Sequence, residues 1–80
     1  MKRGSLVYTP AYDRWTFESP AFTYDLHCGD VLDLRVGGHY ISCRLELGPR
    51  GWYVVIPDPK LRSRTTFLLS SGTRYIARLP

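Results

Sequence analysis

The sequence DVLDLRVGGHYISCRLELGPRGWYVVIP, residues 30–57, decides the fold of this chain. Apolar and polar residues alternate along it in three runs, and short glycine-containing segments separate the runs. Alternation with a period of two is typical of strands with one buried face, and short glycine-containing breaks are typical of hairpin turns. We therefore predict a meander of three antiparallel strands.

The first connection in this stretch is Gly37-Gly38. Glycine adopts positive φ without steric cost, which a two-residue type I′ hairpin turn requires at both central positions. In that register Leu34 faces Ile41 and Leu32 faces Cys43. A slip of one residue would exchange the buried and exposed faces, so the sequence specifies the register strongly.

The second connection, Gly48-Pro49-Arg50-Gly51, has the residues that a short hairpin loop favours. It places Leu47 opposite Trp52 and Leu45 opposite Val54. The two turns assign the same apolar residues to the core. These residues are Leu32, Leu34, Val36, Ile41, Cys43, Leu45, Leu47, Trp52, Val54 and Ile56.

The residues before this stretch predict a second hairpin over residues 4–18. Its buried side is expected to hold Trp15 and Phe17, together with Leu6 and Tyr8, because these positions alternate with polar ones. Residues 19–29 have no sustained period and are predicted to form a loop, long enough to suggest a functional role. Two of its apolar residues, Phe22 and Leu26, are expected to pin it to the core.

The residues after the meander begin with an exposed connection over 57–66, predicted from its prolines and basic residues. A short strand over 66–69, a turn over 70–72 and a last strand over 73–79 follow. We expect the last strand to pair with the first. The fold class is therefore all-β, a small SH3-like barrel of five to seven short antiparallel strands with a central three-stranded meander. The 80 residues are expected to form a single domain.

Composition excludes several classes of protein. The hydrophobic content of 44% is too high for a disordered chain, and no apolar run approaches the ~20 residues of a membrane span. The first residues lack the apolar stretch of a signal peptide. In the predicted register Cys28 and Cys43 lie about 13 Å apart, too far for a disulfide, so that free thiols and a cytoplasmic location are expected.

The two histidines and two cysteines suggest a metal site or a nucleophilic pair, but their spacing fits neither. His39 and Cys43 are four residues apart on one strand, about 13 Å, whereas the ligands of one zinc ion lie within ~4 Å of each other. His27 and Cys28 are adjacent, so their side chains point to opposite faces of an extended chain. We therefore predict no metal, no cofactor and no enzymatic activity, and a local structural role for His27 at the turn around Gly29.

The outward face of the meander is the predicted binding surface. It carries Arg35, Tyr40, Arg44 and Tyr53, and the basic segment that follows adds Arg62 and Arg64. Two functions fit this composition. The first is a binding module or accessory subunit that contacts a partner protein or a second copy of itself, with the tyrosines covering the interface. The second is a small barrel that binds single-stranded nucleic acid, which the net charge of +4 favours.

Residues 26–55, LHCGDVLDLRVGGHYISCRLELGPRGWYVV, resemble an uncharacterised family of small bacterial domains. Its members share Leu-His-Cys-Gly followed by an acidic residue, a strand, a Gly-Gly or Gly-Asn turn, a strand that begins with an aromatic residue, and then Trp-Tyr. Tyr12, Asp13 and Arg14 add weaker support. The resemblance implies an SH3-like barrel in a bacterial cytoplasm, often in association with mobile genetic elements. It implies no catalytic residue.

Overall fold

The described residues, 2–58 and 63–80 of a computed structural model, form one antiparallel sheet of eight strands. The order across the sheet is β3-β2-β1-β8-β4-β5-β6-β7. The strands are β1 (Lys2–Thr9), β2 (Arg14–Glu18), β3 (Thr23–Asp25), β4 (Val31–Val36), β5 (His39–Gly48), β6 (Gly51–Asp58), β7 (Ser63–Leu68) and β8 (Tyr75–Leu79). The all-β class is confirmed, although the strands number eight and not five to seven. Within the described ranges, no helix is long and apolar enough to span a membrane.

Strands β4, β5 and β6 form the predicted meander in the predicted register. Leu34 pairs with Ile41, and Leu45 pairs with Val54. The first turn differs in type from the prediction, because only Gly37 has positive φ, at 62°. A positive φ at the first central position alone is the pattern of a type II′ turn, which gives the same two-residue register as type I′. The second connection is shorter than expected, since Gly48, the last residue of β5, pairs with Gly51, the first residue of β6.

The last strand lies in the middle of the sheet. β8 pairs with β1 as predicted, from Lys2 opposite Leu79 to Leu6 opposite Tyr75. Its other edge pairs with β4, which joins the N-terminal hairpin to the meander. The predicted hairpin is confirmed as β1 and β2, which are connected by a 3-10 turn over Pro10–Tyr12.

The core confirms most of the predicted inward residues and corrects two positions. Val36 and Leu47 lie next to the hairpin turns and are 53% and 48% exposed, because both strands extend past the packed core. Val55 alternates with inward Val54 and so lies on the outward face, but it is 5% exposed there, with Arg44 and Thr66 directly opposite it on the neighbouring strands. The buried apolar core comprises Leu6, Trp15, Phe17, Leu26, Leu32, Leu34, Cys43, Leu45, Trp52, Val54, Leu69 and Ala77.

The segment predicted as a loop over 19–29 contains the short strand β3, which pairs with β2. As expected, Leu26 is fully buried and Phe22 packs against the core. The segment ends in a bulge, because both Gly29 and Asp30 hydrogen-bond to the backbone of Leu45. Gly29 has a φ of 90°, and glycine is the residue that such a bulge favours.

In the connection predicted over 57–66, residues 57–58 and 63–66 are strand, and residues 59–62 lie outside the described residues. Pro57 pairs with Arg64 and Asp58 pairs with Ser63, which extends β6 and starts β7 earlier than the prolines and basic residues had indicated. Pro57 is tolerated there near the end of its strand. The turn predicted over 70–72 is present, with the Thr73 N–H donating to the Ser70 carbonyl.

Candidate binding surfaces

The outward face of the sheet brings together two of the predicted binding residues, Arg35 and Tyr40, which are cross-strand neighbours. The Arg35 guanidinium lies 6.0 Å from the centre of the Tyr40 ring. A third residue, Arg78 of β8, lies closer, at 4.1 Å from the ring centre. A guanidinium at this distance over an aromatic face makes a favourable cation–π contact.

Arg78 also forms an ion pair with Asp33, its Nε donating to Oδ2 at 2.8 Å. This pair joins β8 to β4 on the outer face. Sequence reasoning did not include Arg78 in the binding surface, because its position beside Asp33 depends on a pairing between strands more than forty residues apart in sequence. The sequence predicted a partner for one edge of the last strand, β1, but none for the other edge, which pairs with β4.

The other predicted outward residues lie at the opposite end of β5. Arg44 forms an ion pair with Glu46 of the same strand, its Nε donating to Oε2 at 2.8 Å. Tyr53 lies opposite Glu46 and Leu68. Glu46 is six residues from Tyr40, about 20 Å along an extended strand, so the two tyrosines do not form one surface.

The basic segment is described only in part. Arg62 lies outside the described residues. Arg64 is exposed on β7, opposite Pro57. Among the carboxylates whose side chains are described, none lies within ion-pair distance of Arg35 or Arg64.

The inner face has an apolar groove that the sequence analysis did not identify. Its volume is about 380 Å³, and it lies where the β4–β5 hairpin extends past the core. Exposed Val36 and half-exposed Phe67 lie at its mouth, and Arg35 is at its rim. The Phe67 ring meets the Tyr75 ring edge to face at 6.2 Å, which ties β7 to β8 across the groove. The alternation of the sequence had correctly placed Val36 and Ile41 on the inner face, but it could not show that this end of the face stays uncovered.

A carboxylate at the other end of the domain has a structural role. Asp13 has a φ of 47°, and its Oδ1 accepts hydrogen bonds from the Tyr8 hydroxyl and, at 3.1 Å, from Trp52 Nε1. These two donors, Tyr8 first, lower the pKa of Asp13 below its ordinary value of 3.8, while the same carboxylate raises the pKa of Tyr8. The contacts join the turn after β1 to β6.

This contact makes stability depend on pH in a defined direction. The pKa of Asp13 is lower in the folded than in the unfolded protein, so its contribution is present above the unfolded value and is lost as the pH falls through the folded one. We expect Asp13→Asn, which tolerates positive φ, to melt with a smaller decrease in Tm between about pH 5 and pH 3 than the unchanged protein. Glu18→Gln, which removes an exposed carboxylate, is the control. A decrease as large in Asp13→Asn as in the unchanged protein would contradict the assignment.

The two cysteines are free, one exposed and one buried. Burial raises the pKa of the Cys43 thiol to about 11, with a smaller contribution from Asp33. His27 donates its backbone N–H to Asp30 Oδ2 at 2.8 Å and accepts the Asp30 N–H at its carbonyl. The local role of His27 at the Gly29 turn therefore comes from its backbone, and its side chain is 63% exposed. No group of three or more potential metal ligands occurs within residues 2–58 and 63–80.

We expect the two thiols to differ in reactivity. The thiolate is the reactive form, so a thiol reagent in excess should modify Cys28 in the native protein and Cys43 only after unfolding. Titration without a reductant, first in buffer and then in denaturant, gives one thiol and then a second. Cys28→Ser should abolish the first step and leave the second. Rapid modification of Cys43 in buffer would show that the core opens at the groove.

Fold and surface together define a small all-β domain with an apolar inner groove and an arginine–tyrosine cluster on its outer face. The chain belongs to the family "Domain of unknown function (DUF5348)", whose model matches residues 4–78. Its fold is similar to the crystal structure of a protein from Ruminococcus gnavus, solved by the Northeast Structural Genomics Consortium. That likeness has a TM-score of 0.71 at 24% identity, over 98% of this chain and 100% of the other. None of the curated proteins matches this sequence.

Proposed function

We propose that this domain is a non-catalytic binding module or accessory subunit that makes protein–protein contacts through its inner groove. The observation that supports this proposal is the apolar groove of about 380 Å³, with Val36 and Phe67 exposed at its mouth. Concave apolar sites of a few hundred cubic ångströms are where proteins bind side chains or small ligands. An exposed valine and phenylalanine beside such a site favour contact with a partner protein.

The charge distribution favours a protein partner over nucleic acid. Two outer-face arginines, Arg44 and Arg78, are already paired with carboxylates of the domain. Arg78 also occupies one side of the Tyr40 ring, where a base would otherwise stack. Neighbouring carboxylates therefore already neutralise two of the outer-face arginines that could contact phosphates.

The test of this proposal is selection from a displayed library of random peptides. We expect the selected peptides to share an apolar position and to lose binding to Val36→Asp, which places a charge in the groove. Val31→Asp is a matched control, because Val31 is 51% exposed on the same strand but faces outward. Equal binding to both variants, or no selected peptide, would refute binding in the groove.

Nucleic-acid binding is the second candidate, and the cluster of Tyr40 and Arg35 supports it. If this face binds single strands, the affinity for a labelled oligonucleotide falls with salt, with a log–log slope of about −0.7 per neutralised phosphate. Tyr40→Ala should then cost about 1–3 kcal/mol of binding free energy through lost stacking, with little change in slope. An oligonucleotide affinity that does not respond to salt or to Tyr40→Ala excludes this candidate.

The proposed setting is the bacterial cytoplasm. The resemblance described above implies it, together with an SH3-like barrel and an association with mobile genetic elements. The free thiols of Cys28 and Cys43 support a reducing compartment. Peptide docking in surface grooves is common among SH3-like barrels, in keeping with an adaptor role.

A further inference from the structure

We infer, resting on the proposed function, that β7 binds an extended acidic segment of a partner protein as an additional strand, with the apolar side chains of that segment in the inner groove. β7 is the last strand at one end of the sheet. β7 pairs with β6 on one side, and no backbone hydrogen bond reaches its other side from the described residues. The groove contains Phe67 of the same strand.

The backbone groups that face this free edge can be assigned. The Leu69 N–H donates to the Trp52 carbonyl, which makes these two residues a hydrogen-bonded antiparallel pair. Because hydrogen bonding alternates along an antiparallel ladder, Phe67 also bonds to β6. The N–H and C=O groups of the intervening residues, Arg64, Thr66 and Leu68, therefore point toward the free edge. These groups occur at every second residue, which is the spacing at which an added strand forms its backbone hydrogen bonds.

The two edges of the sheet differ in how they are protected. β3, at the other end, has only three residues, and short edge strands are a common protection against unwanted pairing. β7 has six residues, and the sequence Thr65-Thr66-Phe67-Leu68 within it is rich in residues that favour strands. The four residues of this sequence are exposed. A long exposed edge beside an apolar groove is the arrangement that strand addition uses.

Side-chain alternation sets the chemistry of the partner. Phe67 lies on the inner face, so alternate residues of an added strand would meet the groove and are expected to be apolar. The residues between them would lie on the outer face beside Arg64. No carboxylate whose side chain is described lies within ion-pair distance of Arg64, and the same holds for Arg35 at the groove rim. Acidic residues at the outward positions of the added strand would complement the charge of Arg64.

The acidic side chains that the structure describes already have partners within the domain. Every carboxylate whose side chain is described accepts a hydrogen bond within the domain; these are Asp13, Glu18, Asp25, Asp30, Asp33 and Glu46. A second copy would bring another net charge of +4 to the same edge. Charge complementarity therefore favours an acidic partner over self-association.

The test uses two labelled eight-residue peptides, one that alternates glutamate with valine and one that alternates lysine with valine. We expect the glutamate peptide to bind more tightly by fluorescence anisotropy. Arg64→Glu should weaken that binding about tenfold, since an exposed attraction is replaced by repulsion. Arg3→Glu makes the same charge change on β1, away from the groove, and should leave the affinity of the peptide within about twofold.

Hydrogen exchange of the β7 amides tests whether the peptide pairs with the backbone of this strand. On binding of the glutamate peptide, the amides of Arg64, Thr66 and Leu68 should become protected from hydrogen exchange. Thr66→Pro removes one edge N–H without removing a bond to β6, and should abolish binding while the Tm stays within a few degrees. Thr66→Ala, which keeps the edge N–H, checks that loss of the Thr66 hydroxyl alone does not weaken binding.

The outcomes separate this inference from the proposed function. Equal affinity for the two peptides, or binding without protection of the three amides, overturns strand addition by an acidic segment. If display-selected peptides still depend on Val36 in that case, the proposed function stands. Concentration-dependent dimers that protect the same amides would make a second copy the occupant and overturn this inference. Displacement of the peptide by an oligonucleotide at physiological salt would overturn both.

Discussion

Replacement of Leu45 by alanine is expected to lower the free energy of unfolding by about 2–5 kcal/mol. Leu45 is fully buried on β5, opposite Val54. Its backbone also holds the bulge at Gly29 and Asp30, so the neighbouring chain cannot move in easily to fill the cavity. Urea denaturation followed by tryptophan fluorescence measures the loss, because Trp15 and Trp52 both lie in the core.

Leu47→Ala is the matched control for this prediction. Both leucines lie on β5, and the alternation assigned both to the core, but Leu47 is 48% exposed. We expect Leu47→Ala to cost less than about 1 kcal/mol, since little apolar area leaves water there on folding. Equal losses for the two variants would show that the described burial of Leu47 is wrong.

Gly4→Ala is the second substitution with a large expected effect. A Cβ at Gly4 would lie 2.1 Å from the carbonyl oxygen of Glu18 and 2.8 Å from the Phe17 ring. A clash with a backbone atom cannot be relieved by a rotamer change, and Gly4 is held between β2 and β8. We expect a loss of about 3 kcal/mol or more, at or above the upper end of the usual overpacking range.

Gly38→Ala is the control for this second prediction. Nothing lies within 4 Å of a Cβ at Gly38, and its φ is not positive. The change should therefore alter stability by less than about 1 kcal/mol, since the substituted residue keeps its conformation. Comparison of the two variants by thermal melting separates steric contact from the general effect of replacing glycine. A stable Gly4→Ala protein would mean that β1 and β2 do not approach as described.

The meander was predictable because its information is local. Two tight turns, each with its own glycines, independently specify the same inward residues, and the observed pairs of Leu34 with Ile41 and of Leu45 with Val54 follow from them. The pairing of the last strand with the first was also correct. That prediction rested on topology, since no local signal joins residues so far apart in sequence.

The candidate sites were harder to predict from the sequence, because they depend on how distant strands pack and pair. Alternation shows which face a residue is on but not how far the covering layer extends, so Val36 and Leu47 were assigned to the core although they are exposed. The groove lies where the β4–β5 hairpin, which carries Val36, extends past that covering layer. Arg78 was missed because its contacts with Asp33 and Tyr40 depend on the β4–β8 pairing. The three-residue strand β3 carries too few residues for a periodic signal.

The central position of β8 has a consequence for synthesis of the protein. Among the described strands, β8 separates the N-terminal hairpin from the meander, and the backbone pairing that joins those two parts runs through it. During translation, the ribosome therefore releases both parts before the strand that joins them exists. Until residues 75–79 emerge, the inner edges of β1 and β4 are open, and closing the sheet pairs Lys2 with Leu79. Such distant contacts fold slowly, so the nascent chain must keep two open edges apart until its last strand arrives.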